Sequence, residues 1–247
     1  MRHRITFLLL LTLAVFLVLS SVFVFLWPTL KTARYWQKNG KTIDEYTRTV
    51  EQVRKAEEES RENGECGEET EVPFAGLREA CERYNAELYS SGQKDLTEQT
   101  QLAAPFDLSG YGWEEDVFAV LSIPDAGIET AVYLGADSDN LVRGAAVLGQ
   151  TSLPLGGENT NCVIAGHRTW NGVIFFHPLR ELGEGDAVYI INPWERLAYK
   201  VTEVRIIAPT DIDAVRIQEG KDLLTLFTCT YPNTHRVLVI CERSEAG

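Results

Sequence analysis

The chain has 247 residues, is 45% hydrophobic, carries a formal net charge of -13 and contains five cysteines and four histidines. An acidic chain without a basic patch cannot replace the counterions of a phosphate backbone, which excludes nucleic acid as a partner. The cysteines include no C-x-x-C and the histidines no H-E-x-x-H, so neither a metal site nor any cofactor is expected.

Residues 5–27 are 23 in a row without a charge. As a helix they reach about 35 Å, enough to cross a hydrocarbon core of about 30 Å. The run is longer than the apolar part of a signal peptide, and no convincing small-x-small cleavage site precedes Trp36. Residues 1–28 are therefore expected to be a short N-terminal start and an uncleaved single-pass anchor. Arg2 and Arg4 precede the run while Lys31, Arg34, Lys38 and Lys41 follow it, so flanking charge does not orient it.

Residues 44–71 hold eleven acidic and four basic side chains, the composition of a solvated spacer. Ile43, Tyr46, Val50 and Val53 recur at helical spacing, Gly64, Gly67 and Pro73 interrupt it, and a second helix over 74–88 lines up Leu77, Cys81, Tyr84 and Leu88. Residues 29–89 thus read as an acidic helical stalk packed on the domain that follows. Residues 90–112 are polar and glycine-bearing around an apolar island at 102–106, and read as a linker or a lid.

From residue 113 to 247 the segments are short and β-rich: 117–123, 130–133, 145–148, 161–165, 187–191, 196–204, 223–228 and 237–241. Turn signals between them, and short helices only at 137–143 and 175–182, predict a mostly β domain, a closed eight-stranded barrel rather than alternating β/α units. The glycines at 156 and 157 lack the lysine and the glycine spacing of a P-loop and read as a turn.

Chemistry concentrates in the last two strands. Cys229 ends one and Arg236 starts the next, so the hairpin sets a thiol beside a permanent positive charge, the layout of a nucleophile with an oxyanion partner. The candidate acid/base is His167, where the apolar strand CVIA runs into a glycine and then the imidazole. His235 is its rival, but strand alternation sends His235 and Arg236 to opposite faces, so only one of them can point at Cys229. His177 precedes a proline on a short amphipathic helix and reads as partly buried packing, and His3 lies before the apolar run.

TLFTC at a strand end, the arginine of NTHR a few residues on, and TSLPLGGENTNCVIAGHR upstream resemble the sortases, cysteine transpeptidases of Gram-positive surfaces, most closely class C. The resemblance covers residues 117–243. It implies a sortase-like barrel with Cys229 as nucleophile, His167 as general acid/base and Arg236 as the residue that positions substrate and binds the oxyanion. It also implies a membrane enzyme with its catalytic domain outside the cell and the start of residues 1–28 in the cytoplasm. Such an enzyme would cleave an LPxTG-like sorting signal on surface proteins or pilins and pass the acyl group to an amine of a pilin lysine or a cell-wall precursor. Class C sortases carry a lid with an Asp-Pro-aromatic tip. Here Pro105 and Phe106 are the candidate tip, and the acid is displaced to Asp107. The turn from Cys229 to Arg236 is shorter than the class C form, and no apolar segment follows Arg243.

Two other readings share part of this evidence. A cell-wall cysteine peptidase would use water in place of the amine, with an Asn, Asp or second His orienting the imidazole. A membrane-anchored β-barrel binding module would keep Cys229 only as a small buried residue. Among the cysteines Cys229 is expected to stay a free thiol. Cys66 with Cys81 is the local bridge, and Cys162 with Cys241 would be strand neighbours, more readily as reduced thiols.

Overall fold

The computed structural model describes residues 2–62, 74–97, 100–105, 108–111, 113 and 116–244. Helix α1 (Arg2–Glu62) is a single element that carries the apolar run straight into the first half of the expected stalk. The run itself is solvent-facing and none of its most apolar stretch is buried. Pro28 lies inside the helix just beyond it. A proline has no N–H to give the carbonyl four residues back; its own carbonyl accepts from the Thr32 hydroxyl at 2.9 Å.

Beyond Pro28 the helix docks on the β domain through polar groups as well as apolar ones. The Asn39 side-chain amide donates to the Glu129 carbonyl (2.8 Å) and its oxygen accepts from the Ala131 N–H (3.3 Å). The buried Tyr46 hydroxyl donates to the carbonyls of Phe118 and Ile191 (3.0 and 3.2 Å), and burial pushes its pKa far above that of an ordinary phenol. Helix α2 (Ala75–Ser91) ends at Gly92, which adopts the left-handed conformation that closes a helix. It turns Leu77, Cys81 and Leu88 inward, while Asn85 holds Leu153 by both its N–H (2.8 Å) and its carbonyl (3.2 Å). The expected stripe of the second helix is thus observed, and Tyr46, Val50, Leu77 and Cys81 belong to the same buried cluster as the barrel.

The β domain contains β1 (Ala119–Ile123), β2 (Ile128–Leu134), β3 (Ala145–Val147), β4 (Thr160–Ala165), β5 (Thr169–Trp170), β6 (Val173–Ile174), β7 (Ala187–Ile191), β8 (Arg196–Ile207), β9 (Asp222–Cys229) and β10 (Arg236–Arg243), with helix α3 (Ser138–Arg143) between β2 and β3. Eight of these close a barrel in the order β1-β2-β3-β4-β9-β10-β8-β7. They coincide with the eight segments expected from the pattern. The pair β5-β6 forms a separate two-stranded sheet that the pattern did not reveal. Its turn is Asn171-Gly172, both at positive φ (49° and 83°), the dipeptide signature of a tight hairpin.

Most barrel contacts are antiparallel, but β4 runs parallel to β9 and β2 parallel to β3. The register explains the cysteines. Cys162 of β4 and Cys241 of β10 both pair with Leu224 of β9, so a whole strand separates them. They are not neighbours as expected, and strands about 4.8 Å apart put their backbones near 10 Å, too far for a bridge. Cys81, Cys162 and Cys241 are free buried thiols. The Cys66–Cys81 bridge is therefore not formed at Cys81, and Cys66 lies outside the described residues.

Candidate active site

Cys229 is the last residue of β9 and Arg236 the first of β10, and their Cα atoms are direct partners across the ladder. Residues directly opposite in an antiparallel pair project to the same face. The connecting turn is closed by Thr230, whose N–H and hydroxyl both donate to the His235 carbonyl (3.0 and 3.2 Å), and Asn233 takes a positive φ of 71°. His235 is spent on this turn. Its ring is exposed, with Nδ1 3.0 Å from the Thr234 hydroxyl.

The guanidinium of Arg236 is held at one end only. Its Nη1 donates to the carbonyls of Asn233 (3.3 Å) and His235 (3.2 Å), and its Cζ lies 5.9 Å over the Phe227 ring. Among the described residues its Nε and Nη2 groups make no hydrogen bond, which leaves donors for an oxygen of a bound substrate.

His167 follows β4 by two residues. The parallel register pairs Ala165 with Phe227, so Gly166 and His167 run alongside Thr228 and Cys229. Two hydrogen bonds fix this continuation: Gly166 N–H to the Phe227 carbonyl (3.1 Å) and the Thr228 hydroxyl to the Gly166 carbonyl (2.8 Å). Glycine is required there, because a Cβ at 166 would sit 2.7 Å from the buried Phe176 ring. The three expected residues therefore stand on adjacent strands, β4, β9 and β10, at one end of the barrel.

The half-buried imidazole is stacked on Trp170, with centroids 4.6 Å apart and an interplanar angle of 12°, and Phe175 meets it edge-on at 6.4 Å. Burial lowers its pKa below the ordinary 6.5, favouring the neutral ring. Among the described residues no side chain hydrogen-bonds to it. Aromatic packing orients this imidazole, in place of the Asn, Asp or second His that a papain-like peptidase uses.

Cys229 opens into a groove of about 380 Å³ whose walls include Thr228, Tyr231, Val237, Ile206 and His177. Val204, Thr230, Arg168, Arg180 and Arg205 complete the described lining, to which no described carboxylate contributes, so that lining is basic within an acidic protein. Arg168 lies over the Tyr231 ring at 5.5 Å. His177, expected only to pack, sits on a 3-10 turn (His177–Glu181) and faces this groove. His167 and Arg236 stand outside its lining. None of the described residues of 90–111 lines it either, Pro105 included; Phe106 and Asp107 lie outside the described residues. Instead, Gln101 accepts the Gly149 N–H at 2.8 Å, and the backbone at 100–104 packs against Gly135 and Gly149 so closely that no side chain fits at either glycine. The groove arginines come from three separated segments, and no sequence signal joins them. The Asn171-Gly172 pair was the available signal for the hairpin that brings Trp170 onto His167.

Known proteins place these features in a family. The chain is 32% identical over 154 residues to sortase A of Staphylococcus aureus, covering 61% of this chain and 70% of the relative. To sortase A of Streptococcus agalactiae it is 29% identical over 136 residues, 53% of this chain, and that match spans only about half of the relative's length (54%). Among solved structures it resembles sortase C of Clostridium perfringens (28% identity, TM-score 0.62, 83% of this chain and 99% of that one). Sortase C1 of Streptococcus agalactiae is similar too (28% identity, TM-score 0.66, 73% and 94%). The sortase domain model matches residues 121–244, from β1 to just past the end of β10. With half of the chain matched and the eight-stranded barrel in common, this chain belongs to the sortase family of cysteine transpeptidases.

Proposed function

We propose that this chain is a membrane-anchored sortase that cleaves an LPxTG-like sorting signal through Cys229 and transfers the acyl group to an amine, from a pilin lysine or a cell-wall precursor. The observation that carries the reading is the in-register pair of Cys229 and Arg236 with His167 one strand away at the same level. The Cys229 thiolate attacks the scissile carbonyl, and Arg236 receives the oxyanion on its unengaged N–H groups. Collapse breaks the C–N bond, His167 gives its proton to the leaving amine, and a thioester remains. The incoming amine attacks that thioester, loses its proton to His167 and releases the Cys229 thiolate, which restores the starting thiolate and protonated imidazole. A sorting motif is also what one relative was solved with: sortase C of Clostridium perfringens, in complex with the C-terminal cell wall sorting motif.

Anchoring through residues 5–27 is supported by a helix that passes without interruption from the apolar run into the docked stretch. Stacking on Trp170, with no polar side-chain partner among the described residues, argues against the hydrolase alternative. The test is mass spectrometry of the chain mixed with a sorting-signal peptide and no amine. The expected result is an adduct on Cys229, absent in Cys229→Ala and slowed at least about tenfold in Arg236→Lys, because an ammonium lacks the planar fork. His235→Ala should acylate normally. Acylation that survives Cys229→Ala, or that is lost in His235→Ala but not in His167→Ala, would overturn the assignment.

A further inference from the structure

The docked half of α1 acts as a ruler measured from the membrane. The 5–27 run closes at Trp27 and the first charge beyond it is Lys31; at about 1.5 Å per residue Pro28 and Thr32 lie about 1.5 and 7.5 Å past Trp27. The headgroup layer on one side of a bilayer is about 5–8 Å thick. Gly172, at the tip of the β5-β6 hairpin, meets the helix within this interval. The Thr32 hydroxyl reaches its carbonyl at 3.4 Å, and a Cβ on it would lie 3.8 Å from Pro28. Other contacts come later along the ruler: Tyr35 with Arg143 and Phe175, Asn39 with β2, and Tyr46 with Phe118. Those positions are about 12, 18 and 28 Å past Trp27.

Composition points the same way. In a chain of net charge -13, residues 28–43 and 168–177 contain no carboxylate, while Lys31, Arg34, Lys38, Lys41, Arg168 and His177 are basic. The hairpin exposes Trp170 (42%) and Ile174 (50%), an aromatic and an aliphatic side chain of the kind that settles at a membrane surface. Anionic headgroups attract such basic, carboxylate-free segments.

We propose that the β5-β6 hairpin rests in the lipid headgroup layer, with Trp170 and Ile174 in contact with the bilayer surface. This rests on the membrane-anchor reading above. Because Trp170 stacks on His167, the bilayer then supports the side chain that orients the proposed acid/base, and the site works at the lipid surface.

The test uses the full chain reconstituted in vesicles of phosphatidylcholine and phosphatidylglycerol, with and without lipids brominated near the top of the acyl chain. Tryptophan emission is compared for the wild type, Trp27→Phe and Trp170→Phe; both variants keep an aromatic ring at an exposed site, and circular dichroism checks the fold. Bromolipid should quench the emission removed by Trp170→Phe by about half or more, as it does the emission removed by Trp27→Phe. If the Trp27 component is quenched and the Trp170 component is not, the hairpin stands clear of the bilayer and the proposal fails while the anchor survives. If neither is quenched, the anchor itself is wrong and the proposal falls with it.

Discussion

His167 packs between aromatic rings instead of pairing with a carboxylate, and this fixes the sign of its titration. Burial disfavours the imidazolium, so the folded-state pKa lies below 6.5. The neutral ring persists to lower pH than in an unperturbed histidine, and the cost of burying it charged appears only as the pH falls below about 6.5, where the unfolded chain takes up a proton first. If His167 is the acid/base, the acid limb of kcat/KM for sorting-signal cleavage reports this group in the free enzyme. That limb is expected below pH 6.5. A limb above 6.5 would require a carboxylate near the ring, which the described residues do not supply, and would point to a different titrating residue.

Each strand end in the site is held by an element packed beneath it. Gly166 is the tightest example, because the buried Phe176 ring occupies the space a side chain would need. Gly166→Ala is expected to destabilise the chain by about 1–3 kcal/mol, the usual range for overpacking. It should also lower peptide cleavage more than folding alone explains, because β4 must shift and carry His167 with it; full activity in a stable Gly166→Ala variant would contradict this role. The segment before the barrel is an element of another kind. Its residues 100–104 are clamped to Gly135 and Gly149, which leaves the lid proposal to the tip at Phe106. Losing an aromatic latch worth about 1.5–3 kcal/mol should speed thiol-probe labelling of Cys229 by about tenfold to a hundredfold in Phe106→Ala and barely change it in Asp107→Ala. Unchanged labelling in both would make the segment a linker.

At the level of the whole molecule, the barrel, the docked half of α1 and α2 share one buried cluster, and cysteine exposure reports on it. Cys81, Cys162 and Cys241 are buried, and burial raises all three thiol pKa values, Cys81 to about 12. Cys229 is only partly buried and faces the groove. Of these four, Cys229 alone should react with a charged thiol reagent in the native protein, and the other three only after unfolding. A native chain in which Cys162 or Cys241 labels as fast as Cys229 would mean an open barrel. Docking of α1 through Asn39 and Tyr46 also means that the apolar run leads into a fixed face of the β domain and not into a loose tether.

The eight barrel strands, the apolar run and the Cys229–Arg236 pair were legible because each depends on neighbours close along the chain: alternation of period two, an uninterrupted apolar stretch, and a hairpin whose short turn forces two residues into register. His167 could be named from its local motif, but its closeness to Cys229 depends on a parallel pairing across some sixty residues that no local pattern encodes. The same limit explains the cysteines, since Cys162 and Cys241 look alike in the sequence and only barrel closure puts Leu224 between them. It applies as well to the three groove arginines, to His177, and to the hairpin that brings Trp170 onto His167 beside Pro28 and Thr32 of α1. Side-chain period reports which face of a strand is buried. Which strands become neighbours, and what that face then touches, is set by closing the barrel, where long-range packing outweighs local preference.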